Sequence, residues 1–309
     1  MTAPLMGDTL LLSFDFEDWH QLVHRRLGLP DWDKVNPAFP RQVRTALDLL
    51  DEIGATATFF LLGMTAKNYP ELVEELVARG HEPACHGFAH RRVFEQTADD
   101  FRGDVEQSVD VIDRIAGQRP LGYRAPAFSL NRDAVWAYGI LADLGFRWDS
   151  SQYDSPRIPR RLRSIPTSPY VLREPGGCLL WEFPIAVSDV LGRSLPVGGG
   201  SYWRLLPART VAFALRRRSD EAGAALYVHP YELAPLPLRP ELPANAPLRQ
   251  RANAMARRFR VNPGRARVPT CLRYLAREFR LVSYREAFEA LSSRDGNRTR
   301  TLSPEGVLL

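Results

Sequence analysis

Apolar residues along the first half of the chain recur in two alternating periods. TLLLSFDFED begins as a continuous apolar run, the pattern of a buried strand, and ends in acids at Asp15, Glu17 and Asp18. PRQVRTALDLLDEIG follows, with Val43, Leu47, Leu50 and Ile53 at helical spacing, and stops at Gly54. ATATFFLLG then reads as a strand, PELVEELVARG as a helix opened by Pro70, and HEPACHG as a short strand. DDFRGDVEQSVDVIDRIAG is a long amphipathic helix, LGYRAPAFS a strand, RDAVWAYGILADLG a helix and FRWDSS a strand. Gly54, Gly80, Gly117 and Gly145 each fall where a helix ends on a left-handed residue. Strands alternating with helices at this pace predict parallel strands joined by crossover helices.

The second half is less regular. LLWEFPIAV and AALYVHPYEL read as strands, with a helix in PARTVAFALRRRSDEAG between them. VGGGSYWRLLP is rich in glycine but lacks the lysine and hydroxyl of a phosphate loop, and the first strand is not followed by a dinucleotide fingerprint. Residues 235–270, rich in proline and arginine, are expected to form a long surface excursion, and TCLRYLAREFRLVSYREAFEALSS to run helix, short strand, helix. Residues 1–290 are expected to form one domain, with a disordered polar tail over 291–309.

Composition narrows the class. The chain has 309 residues, 45% hydrophobic and 25% charged, which supports a large core. The first residues lack the basic segment of a signal peptide, and the chain has no apolar stretch of membrane-spanning length. Cys85, Cys178 and Cys271 match neither a disulfide framework nor a zinc ribbon and read as buried small hydrophobes. The expected compartment is the cytoplasm. A net charge of +5 rests almost wholly on arginine, Lys34 and Lys67 being the only lysines. The arginines are scattered, with short runs on helix-like segments, which argues against nucleic acid and leaves contact with the inner face of a membrane as the lesser expectation.

The unusual polar residues gather at strand ends, where parallel α/β folds place their sites. Asp15, Glu17 and Asp18 end the first strand, His86 and His90 the third and Asp149 the fifth. Arg124 lies in the fourth, and His229 and Glu232 end the last strong one. Burying such groups is costly unless they pair or bind a cation. Two imidazoles and a carboxylate leave a divalent metal with open positions, which suits catalysis. Asp15 is then available as general base, His229 as general acid, and Arg124 to keep the base ionised. Each motif alone has a plainer explanation: H-x-x-x-H on a helix surface, Asp15–Asp18 as a helix cap, Arg124 as an ion-pair residue, His229 as a core histidine. His20, His24 and His81 read as structural or surface residues.

SFDFED, HGFAH, RAPA and LYVH, in that order, resemble the signatures of the polysaccharide deacetylases of the NodB-homology type, carbohydrate esterase family 4. DFEDWHQ, GYRAPAFS, WDSSQYD, EFPIAV, GGGSYWRLLP and YVHPYEL are similar to the subgroup associated with exopolysaccharide and exosortase (PEP-CTERM) systems. The resemblance implies a distorted (β/α) barrel of about seven parallel strands. It implies hydrolysis of N-acetyl groups from a hexosamine-containing polysaccharide or its lipid-linked precursor, with release of acetate. It also implies a divalent metal, zinc first, with cobalt, nickel or manganese as alternatives. By the same resemblance Asp15 is the base, His86 and His90 are metal ligands, Arg124 tethers the base, and His229 is the acid, oriented by Asp149. The third ligand is Glu17 or Asp18, since two residues separate Asp15 from Asp18 where the family has adjacent aspartates. Ala127, Phe128, Trp148 and Glu232 are the expected substrate contacts. Gly87 stands where the family has a hydroxyl residue, and Ala127 where it has an aromatic. Competing readings keep the fold but change the amide, as in allantoinase-like relatives, or keep the glycan and lose catalysis.

Overall fold

The computed structural model describes residues 8–293 apart from 31, 153, 155–161, 163–164, 174–178, 191–192 and 218–222, together with residues 301 and 302. Cys178 and most of the expected tail lie outside the described residues. Seven parallel strands form the frame: β1 (Thr9–Phe16), β2 (Thr58–Leu61), β3 (Glu82–Cys85), β4 (Gly122–Tyr123), β5 (Trp148–Asp149), β7 (Leu179–Glu182) and β10 (Ala224–Val228). They lie in the order β10-β1-β2-β3-β4-β5-β7. β6 (Tyr170–Arg173) pairs antiparallel with β7 on the outside. The chain just past β7 swings back to β10 through an Ile185–Ala225 bridge, and the Ala186 N–H donates to the Ala225 carbonyl at 2.9 Å. The curled sheet therefore closes on itself, in agreement with the expected distorted barrel.

β8 (Ser188–Val190) and β9 (Arg193–Leu195) make a separate hairpin, which the sequence pattern did not reveal. β11 (Arg280–Val282) and β2 divide one edge of β1 between them, at Thr9–Leu11 and Ser13–Phe16. β12 (Thr301–Leu302) pairs with β6, so the tail is not wholly without structure. LGYRAPAFS is a strand only at Gly122–Tyr123; Pro126–Phe128 form a short 3-10 turn. The expected excursion contains a helix, Leu248–Val261.

Alternation along β1 sorts its side chains. Leu10, Leu12, Phe14 and Phe16 join the outer core beneath the helices, whereas Leu11 faces the barrel interior. Ser13, Asp15 and Glu17 share the interior face with Leu11. The interior is filled by aromatics: Trp148 stacks on Tyr284 at 5.2 Å, and Phe60 meets both rings edge-on at 5.7 Å. A third, smaller cluster ties helix Trp19–Arg26 to helix Leu248–Val261 through Trp19, Val23, Leu27, Leu238, Ala254 and Val261. It holds the second helix against the rim where β1 and β10 end.

Candidate metal centre and active-site cleft

Glu17, His86 and His90 converge on one point. Glu17 Oε1 lies 2.8 Å from His86 Nε2 and 2.9 Å from His90 Nε2. The His86 Nδ1–H donates to the Arg124 carbonyl at 2.7 Å. That bond fixes the tautomer and aims the bare Nε2 at the carboxylate. Lone pairs facing each other this closely require a proton or a cation between them. The N₂O donor set fits a divalent transition metal with positions left open for water and substrate. Burial pushes Glu17 up, but His90 and the two imidazole contacts outweigh it and hold the carboxyl well below its usual range. The alternative ligand, Asp18, does not join the cluster. Its Oδ1 caps helix Trp19–Arg26 by accepting from the His20 N–H at 2.9 Å, and Tyr69 donates to its Oδ2 at 3.4 Å.

Asp15 is buried beside this point. Arg124 donates to its Oδ1 at 2.7 Å and to Ser13 Oγ at 2.9 Å. The rest of the guanidinium is occupied by Ser150 and the Tyr284 hydroxyl, and its face lies 3.9 Å from the Phe60 ring centre. Burial disfavours the charge on Arg124, but Asp15 and Tyr284 reverse the effect and raise its pKa. His229 faces the pair from β10, with Nε2 3.9 Å from Asp15 Oδ2 and 3.7 Å from Glu17 Oε2. Its Nδ1 lies 3.1 Å from Glu232 Oε2, and Tyr231 stacks on the ring at 4.7 Å. Burial pushes the imidazole down, yet the Glu232 hydrogen bond and the charges of Glu232, Glu17 and Asp15 bring it up to about 9. The ring therefore keeps its proton to a higher pH than a free imidazole does.

Three expected residues take other places. Asp149 does not orient His229: its carboxylate accepts from the Ser151 N–H at 3.0 Å and the Ser151 hydroxyl at 2.8 Å, and it lies beside Glu182 across the sheet. Burial raises both carboxyls, and the two are joined by a side-chain hydrogen bond. Glu232 orients His229 in its stead and is buried behind it, away from the cleft wall. Trp148 is a core residue without exposed surface.

Ala127 and Phe128 do line the cleft, which has a volume of about 310 Å³. His90, Ala127 and Phe128 have φ values of 52°, 55° and 52°, a left-handed conformation costing on the order of 1–3 kcal/mol for each such residue. Such strain persists only where the surrounding packing over-determines the backbone, here at His90 and along one cleft wall. Phe128, packed edge-on against Tyr227 at 5.0 Å, stands in the aromatic position one residue later than the family pattern. Gly87 has a φ of 73°, and a Cβ there would meet Asp104 Oδ2 at 2.9 Å. That oxygen accepts from the Phe88 N–H at 2.7 Å, so Asp104 supports the turn in the space a side chain at 87 would need. Trp19, Arg26, Arg204, Tyr227, Tyr231, Arg257 and Arg260 also line the cleft. Periodicity could not find them, because they come from four segments brought together only by the barrel.

Residues 31–147 match the profile of the family described as polysaccharide deacetylase, and residues 150–289 that of a domain of unknown function (DUF3473). The chain is 27% identical over 106 residues to a peptidoglycan-N-acetylglucosamine deacetylase of Bacillus cereus, covering 34% of each. It is 35% identical over 111 residues to a chitooligosaccharide deacetylase of Sinorhizobium fredii, covering 36% of this chain and 46% of that one. These stretches span about a third to under a half of the relatives' lengths. The fold matches a candidate polysaccharide deacetylase from Mycobacterium smegmatis with a TM-score of 0.61, 21% identity and 96% coverage of both chains. Residues 31–147 are thus similar in sequence to polysaccharide deacetylases, and the chain as a whole is similar to the Mycobacterium smegmatis structure in fold.

Proposed function

We propose that the protein hydrolyses the N-acetyl group of a hexosamine in an exopolysaccharide, or in its lipid-linked precursor, releasing acetate and leaving a free amine. The observation that carries the reading is the meeting of Glu17, His86 and His90 at one point, with Arg124-held Asp15 on one side and Glu232-held His229 on the other. A divalent metal held by Glu17, His86 and His90, zinc in our reading with cobalt, nickel or manganese as alternatives, supplies Lewis acidity toward the acetyl oxygen and acidifies a water. Asp15 takes a proton from the attacking water, and Arg124 holds Asp15 in its orientation. As the C–N bond breaks, His229 gives its proton to the departing nitrogen. We assign the developing oxyanion to the backbone N–H of Ala127, a residue of the cleft wall. The exopolysaccharide and exosortase association rests on motifs such as GGGSYWRLLP and YVHPYEL.

We read residues 1–290 as a single domain at the inner face of the membrane. β10 pairs with β1 and β7 with β5, so one sheet runs through both matched stretches. Among the described residues no helix is long and apolar enough to cross a membrane. Support for peripheral contact comes from helix Leu248–Val261, where Leu248, Met255 and Phe259 are exposed among arginines.

Acetate release from N-acetylglucosamine oligosaccharides, measured together with bound metal per chain, tests the reading. Wild type should release acetate with one divalent ion bound. His86→Ala and His90→Ala should each lose the ion and the activity. Asp15→Asn should keep the ion and lose on the order of 10²–10⁴-fold in turnover. Unchanged metal content in both histidine variants overturns the proposed ligand set.

A further inference from the structure

Some of the protein's surface arginines are neutralised by acids. Arg79 bonds Asp48, Asp51 and Glu75, Arg273 bonds Glu52, and Arg102 bonds Asp143. The active-site cleft brings together arginines that are not. Arg26, Arg257 and Arg260 line it, and among the described residues none of the three has a carboxylate within ion-pair distance. The only acids in that wall are Asp15 and Glu17, engaged by Arg124 and by the two histidines. Arg257 Nε is buried without a hydrogen-bond partner. Burial and the neighbouring charges of Arg26 and Arg260 push the Arg257 guanidinium down, as expected of like charges held together. The fold enforces this proximity. Arg26 comes from one helix and Arg257 and Arg260 from another, and the cluster of Trp19, Val23, Leu27, Ala254 and Val261 locks the two together. Arg204, also in the cleft wall, donates to the Val261 carbonyl at 2.5 Å. An adjoining cleft of about 400 Å³ shares Leu22, Arg26 and His90 and adds Arg25, Arg91 and the Arg92–Glu95 ion pair.

Guanidinium groups gathered at a substrate cleft with no acid to neutralise them recognise planar or tetrahedral oxyanions. Resting on the deacetylase reading, we infer that the substrate is an acidic glycan, and that Arg26, Arg257 and Arg260 bind a carboxylate or phosphate carried at C1 of the reactive N-acetylhexosamine or on the residue next to it. The cleft is thereby selective for charged chains over neutral ones, and the selectivity is carried by residues outside the catalytic cluster.

Two readouts test this on the full chain supplied with a divalent cation. The first is acetate release from an oligosaccharide alternating N-acetylglucosamine with glucuronate, from N-acetylglucosamine 1-phosphate, and from neutral chitotetraose. The second is quenching of tryptophan fluorescence on binding the same compounds, since Trp19 lines the cleft. An anionic compound should exceed chitotetraose in kcat/KM at least tenfold, and raising the salt from 0.05 to about 0.5 M should erode the advantage through its KM. The uronate and phosphate arms identify which oxyanion is read. Arg257→Gln and Arg26→Gln should each cut the anionic-over-neutral ratio severalfold and the double variant at least tenfold, whereas Arg79→Gln should leave the ratio alone. Equal handling of charged and neutral chains, or a ratio unmoved in the double variant, overturns the inference while leaving the deacetylase reading standing. Tight, salt-sensitive binding of an anionic compound without acetate release from any of them leaves the oxyanion subsite standing and overturns the deacetylase reading.

Discussion

Asp15 and Glu17 lie two residues apart on one strand face, yet their surroundings give them different work. Glu17 meets two imidazole nitrogens, and Asp15 meets a guanidinium. The same division separates His86, whose Nδ1–H is anchored on a carbonyl and whose Nε2 is free to ligate, from His229, whose Nδ1 is held by a buried carboxylate. Burial lowers the His229 pKa, but the Glu232 hydrogen bond and the charges of Glu232, Glu17 and Asp15 raise it to about 9, which suits an acid. An amine leaves poorly unless protonated, whereas a nitrophenolate leaves as a stabilised anion. His229→Ala should therefore lower acetate release from N-acetyl sugars by on the order of 10²-fold or more and lower nitrophenyl acetate hydrolysis far less. Equal losses on the two substrates would reassign His229 to positioning.

Helix Leu248–Val261 shows how one element can serve two surfaces. Residues 242–277 contain nine arginines and not a single acid. Ala254 and Val261 pack inward, while Arg257 and Arg260 reach the cleft. Leu248, Met255 and Phe259, spaced seven and four residues apart, share a face at 85%, 59% and 67% exposure. Apolar residues flanked by arginine suit the interface of an anionic bilayer. The protein should co-sediment with vesicles containing phosphatidylglycerol and not with pure phosphatidylcholine vesicles. The Met255→Ser, Phe259→Ser pair should weaken sedimentation severalfold while leaving its elution volume unchanged. A shift of that volume would instead point to a face joining two copies of the chain.

At the scale of the whole molecule, the barrel separates a functional rim from a closed base. At the base, Glu82 accepts from the Thr58 hydroxyl and the Arg285 N–H, and Thr58 in turn accepts from the Tyr284 N–H. Burial raises the Glu82 carboxyl to about 7, against the opposing pull of these hydrogen bonds and the Arg285 charge. A folded pKa above the unfolded value of 4.5 means that folding favours the protonated form. Its contribution, on the order of 3 kcal/mol, is fully present below about pH 4.5 and is lost as the pH rises through 7. Glu82→Gln keeps an oxygen to accept both hydrogen bonds and cannot ionise. Its melting temperature should fall less than that of the wild type between pH 5 and 7.5. Parallel curves for the two proteins would show that Glu82 does not titrate in this range.

How much of this was legible in the sequence depends on the reach of each signal. Apolar period and glycine placement are local, so the alternating strands and helices up to β5 and the strand-end cluster of Asp15, Glu17, His86, His90 and His229 could be read directly. Strand alternation placed Glu17 beside Asp15, but only the folded chain removed Asp18, whose carboxylate finds the start of a helix nearer than the histidines. Asp149 and Glu232 look alike in sequence, each at the end of a strand. Hydrogen bonding to Ser151 and pairing with Glu182 occupy the first, while proximity through one helical turn gives His229 to the second. The arginines of the cleft were invisible for a further reason. Their significance lies in the acids they lack, and an unpaired charge is a property of what surrounds a residue in space. Local pattern determined the strands and the chemistry at their ends; barrel closure decided which of those groups meet, because contacts between distant segments are set by packing, which no short window of sequence contains.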